Sequence, residues 1–350
     1  MGLKETVNNA YSSWMDDDAP EGDVVTSSRI RMARNLVGIA FPSLMQDNDW
    51  QGVFHGVQQA IKETNLQAGA MDLVHMSELS PVERSILMDK HLISPDLLKD
   101  YHKKAVALSN NEQISIMVNE EDHLRIQCLL PGLQLEKTWQ LANGIDDNLE
   151  QTLDFAFSEQ LGYLTACPTN VGTGLRASVM LHLPGLTMLS QISAIIEAIA
   201  KLGLTVRGLY GEGTQATGNL YQISNQVTLG LTEEEIINKL TSIIEQLIEQ
   251  ERTARKILHR DNKYHLEDRV FRAYGTLKHA RLLNSEETMK LISDVRLGVD
   301  LKIIDDIKPS VLNELLVVTS PAYLIKHAGR ELNAQQRDIY RAELVRSKLS

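Results

Sequence analysis

Apolar and polar residues change period twice along this chain. From Asn48 to Gly69 the apolar positions recur near helical spacing, and Ser80-Pro81-Val82-Glu83 has the form of a capping box with proline at the first helical position, so helices flank the N-terminal third. From Gln113 the period drops to two. Ile114, Ile116 and Val118 alternate with polar neighbours, and Leu124, Ile126 and Cys128 alternate again with His123, Arg125 and Gln127. This predicts a hairpin or tightly bent strand pair with Glu120, Glu121 and Asp122 at its turn. A second strand, RASVMLHL, sends Arg176, Ser178, Met180 and His182 one way and Ala177, Val179, Leu181 and Leu183 the other. A helix with Ile192, Ile195, Ile196 and Ile199 on one stripe follows, stopped at Gly203, and then a strand, LTVRGLYGEG, that ends in a glycine-rich turn.

Beyond Gly230 only the helical period remains. Thr232-Glu233-Glu234-Glu235 is a second capping box, and Ile236, Ile237, Leu240, Ile243, Ile244, Leu247 and Ile248 form a long amphipathic stripe. Further helical patterns span 267 to 283, 285 to 297, 309 to 318 and 334 to 349. The last third is predicted all-helical, either packed on the sheet or forming a small domain of its own. The chain shows neither internal repeats nor low-complexity segments.

Composition narrows the function classes. With 350 residues, 43% of them hydrophobic, the chain can bury a full core and divide into two domains or one large domain with an extension. Its 46 acidic residues against 35 basic ones give a net charge of -11, which disfavours a nucleic-acid backbone or an anionic membrane surface as partner. Apolar runs fall short of the roughly 20 residues of a membrane helix, and the N-terminus lacks the regions of a signal peptide, so a cytoplasmic location is expected. Two cysteines, Cys128 and Cys167, outside any CxxC pattern fit a reducing compartment and give no indication of zinc.

The placement of arginine is the unusual feature. Arg29, Arg31, Arg125, Arg176 and Arg207 each sit on a strand-like stretch beside a turn. Singly, each reads as an exposed strand arginine paired with a carboxylate. Converging, they would form a clamp for a triphosphate, because the planar guanidinium matches phosphate geometry and keeps its charge. The P-loop, the Rossmann fingerprint and the HRD and DFG segments of bilobal protein kinases are all missing, so a bound nucleotide would have to be held by arginines.

Four segments, SSRIRMARN (27 to 35), NEEDHLRIQ (119 to 127), CPTNVGTGLRASV (167 to 179) and RGLYGEG (207 to 213), resemble in order and composition the motif set of the phosphagen kinases, the creatine and arginine kinase family. Within it the chain is most similar to the bacterial branch that phosphorylates arginine in proteins. Only about two dozen residues precede SSRIR, where the small-molecule enzymes carry a helical domain over the guanidino substrate, and the helical end with RDIYRA (337 to 342) also matches the bacterial branch.

The resemblance implies an α+β fold in which an antiparallel sheet flanked by helices, residues 1–255, is followed by an all-helical regulatory or oligomerising domain, residues 256–350. It implies ATP with Mg2+ as cofactors, the metal being held chiefly by phosphate oxygens and water and not by a protein cage. A positioned carboxylate must orient the cationic acceptor and take its proton, a role that falls to Glu121, with Glu212 gripping the guanidino group from the GEG turn and Glu120 and Asp122 in support. The nucleotide contacts carried over are Ser27, Ser28, Arg29, Ile30, Arg31, His91, Arg125, Arg176, Ala177, Ser178, Val179, Met180, Arg207, Gly208, Leu209, Tyr210, Gly211 and Glu212.

Cys167 takes the place of the family's reactive cysteine, near the guanidino site; a small structural residue in a tight turn is the other reading. His123 and His182 are expected to be hydrogen-bonded framework. Arg337, Asp338, Arg341 and Ala342 correspond to a phosphoarginine-binding site apart from the catalytic one, or else to an ordinary helix surface with intrahelical ion pairs. The same likeness suggests protein substrates marked for a Clp-type unfoldase, a heat-shock repressor and a zinc-binding activator protein as partners, and a homodimer or larger assembly. Action on free arginine, and a reader that binds without catalysis, are the competing functions.

Overall fold

The computed structural model describes residues 3–46, 48–63, 71–208 and 216–350. Its strands are β1 (Val25–Arg34), β2 (Met71–His75), β3 (Ala105–Ser109), β4 (Ile114–Val118), β5 (Leu124–Pro131), β6 (Phe157–Ser158), β7 (Gly162–Tyr163), β8 (Leu175–His182), β9 (Leu204–Gly208) and β10 (Leu220–Asn225). Eight of them make one sheet in the order β2-β3-β4-β5-β1-β8-β10-β9, with every neighbouring pair antiparallel, and β6 and β7 form a two-stranded ribbon.

The helices are α1 (Leu3–Asn8), α2 (Asp49–Glu63), α3 (Pro81–Asp89), α4 (Leu135–Glu150), α5 (Pro184–Met188), α6 (Ile192–Lys201), α7 (Glu233–Asp261), α8 (Lys263–His279), α9 (Ser285–Asp300), α10 (Pro309–Val318), α11 (Pro321–Ala328) and α12 (Ala334–Lys348). An antiparallel sheet flanked by helices, followed by a helical region, is the expected α+β fold. The capping boxes at Ser80 and Thr232 form with both reciprocal hydrogen bonds, and Asn333 makes a third at the start of α12.

Period-two alternation assigns the two faces of the sheet. Ile30, Met32, Ile114, Ile116, Leu124, Ile126, Ala177, Val179 and Ile223 face one way into the main core, which is closed by Val53 and Val57 of α2, Ala142 and Ile145 of α4, and Ile236, Leu240 and Ile244 of α7. On the opposite face two smaller clusters leave the middle open. Val106, Leu108 and Met117 pack with Leu87 of α3, while Leu129 packs with Trp14, Met15, Val317 and Val318.

Helix α7 runs through 29 residues, contributing its N-terminal part and Ala254 to the main core and Leu258 to a separate core built by the later helices. Polar contacts cross the seam between these regions: His182 Nε2 lies 2.7 Å from Ser293 Oγ, Arg255 on α7 pairs with Asp300 on α9 at 3.3 Å, and Arg296 donates to the Gly22 carbonyl at 2.5 Å.

Candidate functional site

The register places the arginines on the open face. In antiparallel pairing Arg31 stands opposite Arg176, Arg29 opposite Ser178, Ala33 opposite Arg125, and Arg207 opposite Gln222, which is itself opposite Met180. Directly opposed residues share a face, so all five arginines project to one side. Arg31, Arg125, Arg176 and Arg207 line a cleft of about 290 Å³ together with Asp96, Glu121, Cys167, Thr169 and Asn170. Arg29 lines an adjoining cavity with Ser27, His91, Leu129, Ser178, Met180 and Gln222.

These guanidinium groups differ in what neutralises them. Arg125 donates to Glu120 at 2.6 Å and to Glu121 at 3.1 Å. Arg29 instead donates to Gln222 Oε1 at 2.6 Å and to Ser178 Oγ at 3.3 Å, and Arg176 donates to Ser224 Oγ at 3.1 Å. Among the described residues none of Arg29, Arg31 and Arg176 pairs with a carboxylate, and Nε of both Arg31 and Arg176 is buried without a partner.

Burial, reinforced by Arg176 and Arg125, lowers Arg29 to about 10; burial and then the other arginines hold Arg31 well below its ordinary value, and burial with Arg207 and Arg125 lowers Arg176. Positive charges crowded together in a desolvated cleft create a demand for a polyanion.

Glu121 sits at the cleft with its carboxylate partly exposed. Burial raises its pKa from the ordinary glutamate value, opposed by Arg125 and assisted by Asp122 and Glu120. Glu120 is spent differently: it is buried, accepts from Arg125, and takes a short hydrogen bond from Ser94 Oγ.

Asp122 Oδ1 accepts from Asn35 Nδ2 and from the Ala166 N–H, both at 2.7 Å, and so ties the acidic turn to the segment that carries Cys167. His123 is framework, as expected. Its Nδ1 accepts from the Leu36 N–H at 2.9 Å, which leaves Nε2 to donate to the Ala40 carbonyl at 2.8 Å, and burial lowers its pKa. His182 is likewise buried and hydrogen-bonded.

The Cys167 thiol is partly exposed, 3.0 Å from Thr169 Oγ1. The loop that follows must turn sharply. Gly174 adopts φ +64°, and a β-carbon there would fall 2.7 Å from both the Ala33 carbonyl and Arg34 Nη1, so no other residue fits without displacement. Arg34 holds this loop through the Thr173 carbonyl at 3.1 Å, paired with buried Asp146 at 2.6 Å and stacked on Tyr163.

Alternation also sorts the expected nucleotide contacts by face. Ser28, Ile30, Ala177 and Val179 stand on the core face; Ser28 Oγ donates to the Gly132 carbonyl at 2.8 Å, and the other three are fully buried among apolar neighbours. Their side chains cannot line the cleft, because neighbours in a strand point oppositely. Gly208 ends β9. Leu209, Tyr210, Gly211 and Glu212, including the second expected carboxylate, lie outside the described residues.

Sequence reasoning passed over Gln222 and Ser224, which hold Arg29 and Arg176, and also Asp96, Thr169 and Asn170. Gln222 and Ser224 are two apart on β10, a signal available only once LYQISN is read as a strand beside β8.

The C-terminal arginines stand on α12 and line neither cavity. Arg341 is buried, with Nε donating to the Thr319 carbonyl at 2.8 Å and Nη1 donating to the Leu283 carbonyl at 2.7 Å and to Asp338 Oδ1 at 2.6 Å. Ala342 is fully buried, whereas Arg337 and Asp338 are half-buried.

Residues 36–254 match the model of the ATP:guanido phosphotransferase C-terminal catalytic domain. The chain belongs to the ATP:guanido phosphotransferase family. Residues 263–350 match a second model, the protein-arginine kinase McsB C-terminal domain. Full-length similarity accompanies both. A protein-arginine kinase of Pelotomaculum thermopropionicum is 59% identical, with 100% of this chain and 99% of the relative covered, and one of Bacillus licheniformis is 50% identical, with 100% and 96% covered.

Among solved structures, the duplicated taurocyamine kinase of Schistosoma mansoni with bound transition-state-analogue components matches with TM-score 0.60 and 30% identity over 68% of this chain and 34% of that one. Lombricine kinase, at 24% identity and TM-score 0.58 over 71% of this chain and 75% of its own, shares the fold. This family member is therefore a phosphotransferase, and ATP is its phosphoryl donor.

Proposed function

We propose that this phosphotransferase carries the γ-phosphoryl group of ATP to the guanidino nitrogen of arginine side chains in proteins. The observation that carries the reading is the meeting of Glu121 with Arg31, Arg125, Arg176 and Arg207 in one cleft, on a chain whose relatives at 59% and 58% full-length identity are named protein-arginine kinases.

In this reading Arg31, Arg176 and Arg207 bind the phosphates and Arg125 bridges them to the acidic turn, while the cavity lined by Arg29, His91 and Met180 takes the base of the nucleotide. Spreading positive charge over the transferring group and holding donor and acceptor in line is most of what phosphoryl transfer requires. Glu121 orients the acceptor guanidinium and takes its proton as the N–P bond forms and ADP leaves. Glu212 is proposed as the second carboxylate on the acceptor, and Cys167 as a thiol lying beside it.

Magnesium belongs with the phosphates. Among the described residues no group of three His, Cys, Asp or Glu side chains gathers to hold a cation, and phosphate oxygens and water would supply its ligands, with Glu121 and Asp96 the carboxylates nearest the cleft.

The helical region from residue 256 is proposed as a regulatory and assembly domain in a homodimer or larger oligomer, with phosphoarginine bound through Arg337 and Asp338 while buried Arg341 holds Asp338 in place. A Clp-type unfoldase, a heat-shock repressor and a zinc-binding activator are proposed as its partners on grounds of kinship alone. A cytoplasmic location is proposed; among the described residues no helix is long and apolar enough to cross a membrane.

Incubation with ATP and either an unfolded protein or free arginine, followed by acid-lability and mass analysis, tests the reaction. Acid-labile phosphate on arginine residues of the protein is expected. Phosphorylation of free arginine alone would point to a small-molecule enzyme, and absence of product with intact nucleotide binding to a reader.

A further inference from the structure

His91 follows helix α3 in a left-handed conformation, with φ +61°. A β-carbon disfavours that backbone, and such a residue persists only where its surroundings over-determine it. The surroundings here are unusual in kind. The preceding residue, Lys90, is fully buried, and its ammonium has all three N–H bonds accounted for: Nζ donates to Glu112 Oε1 at 2.6 Å and to the carbonyls of Thr6 and Asn9 at 3.0 Å each. Glu112, itself at φ +59°, accepts from Ser12 Oγ at 2.6 Å through its other oxygen.

The indole of buried Trp14 donates to the Lys90 carbonyl at 3.2 Å and lies against the His91 ring, with centroids 5.5 Å apart. From the strand side, Gln127 Nε2 donates to the His91 carbonyl at 2.9 Å. The segment from Thr6 to Trp14 is thus bound to the rear of the turn whose front, His91, lines the cavity with Arg29, Ser178 and Gln222.

We propose that Lys90, with Glu112 and Trp14, is a positioning residue for nucleotide binding: it fixes the left-handed turn that presents His91 to the base end of the nucleotide, and so sets affinity for ATP from behind the site. The proposal rests on the reading of the His91 cavity as part of the nucleotide site. None of the three side chains lines either cavity, so they act through His91 and leave the phosphoryl-transfer groups untouched. A buried ion pair is an expensive way to hold a loop for stability alone, since apolar replacement of both partners is often neutral in that respect. Its donors to Thr6 and Asn9 give a geometric constraint that apolar residues cannot reproduce.

The test uses the full-length protein and ADP as probe. In Lys90→Met/Glu112→Leu, ADP affinity is expected to fall about tenfold and KM for ATP to rise alike, while kcat at saturating ATP and KM for the protein substrate stay within about twofold, the loss of a turn held by charge-assisted bonds. Trp14→Phe, which keeps the ring and loses the N–H, should move the same two quantities roughly threefold, as one neutral hydrogen bond would.

His91→Ala is measured beside them. If it weakens ADP while both other variants bind ADP as the wild type does, the positioning role is overturned. If it leaves ADP affinity unchanged, the nucleotide reading of this cavity fails and the proposal falls with it. Should the double variant not fold, Trp14→Phe decides: unchanged ADP affinity there overturns the proposal.

Discussion

Arg31 on β1 and Arg176 on β8 stand directly opposite each other across an antiparallel pair, and neither meets a carboxylate among the described residues. Side by side, two like charges in a sheet destabilise it, and burial strengthens the repulsion. A fold retains such a pair where a ligand of opposite charge repays the cost.

That relationship separates stability from function. Arg31→Gln should weaken ATP binding by about tenfold or more, the loss of one charged partner to phosphate, yet raise the melting temperature of the nucleotide-free protein by a few degrees, on the order of 1 kcal/mol. Thermal unfolding with and without ATP checks both halves. A lower melting temperature without nucleotide would mean that Arg31 is structural.

Glu121→Gln is expected to keep nucleotide affinity and lose turnover by at least about 100-fold, the usual contribution of a positioned base. The pH profile follows from the direction of its shift. The carboxylate must be ionised to accept the proton, and burial raises its pKa. Activity should therefore fall on acidification at a higher pH than an ordinary glutamate would give. Single-turnover rates against pH, with ADP titration of the variant, measure this.

Arg125 is held by Glu120 and Glu121 through two different nitrogens, so charge alone does not define its role. Arg125→Lys keeps the charge and loses the fork, and kcat/KM for ATP should drop about tenfold or more, beyond the small effect of an exposed charge change. Unchanged kinetics would make Arg125 framework only.

Asp89, at the end of α3 and lining neither cavity, predicts a pH effect on stability. Burial raises its pKa to about 6, with a hydrogen bond from Ser320 opposing. The folded state thus binds a proton that the unfolded chain releases near pH 4, so this group lowers stability as pH rises from about 4 to about 6. Asp89→Asn should gain on the order of 2 kcal/mol over the wild type at pH 8 and nothing below about pH 4. Melting curves at the two values would detect it; an equal difference at both would remove the titration argument.

Much of the site was legible in the chain because its strands alternate. Arg176 and Ser178 against Ala177 and Val179, and Arg125 against Leu124 and Ile126, announce a polar and an apolar face without reference to anything distant. Capping boxes at Ser80 and Thr232 mark helix starts through bonds spanning three residues.

Other elements gave no such local sign. Strand β3, Ala105–Ser109, is buried on both sides and shows no alternation, and β10, although Gly218-Asn219 marks a turn before it, opens with Leu220 and Tyr221 side by side, which blurs its period. Helix α11 is a short element after Ser320, which a periodicity window does not separate from its neighbours.

What the sequence alone determined was the set of residue types and which of them share a strand face, since both depend on local period. Tertiary structure decided which strands lie side by side. The order β5-β1-β8-β10-β9 joins residues up to 193 positions apart, as in Arg29 with Gln222, and among the described residues it leaves Arg29, Arg31 and Arg176 without carboxylates. It also turned Arg341 inward onto the carbonyls of Thr319 and Leu283, where helical spacing alone would have paired it with Arg337. Convergence of charge is a property of register and packing, and these are set by contacts between segments that no local pattern encodes.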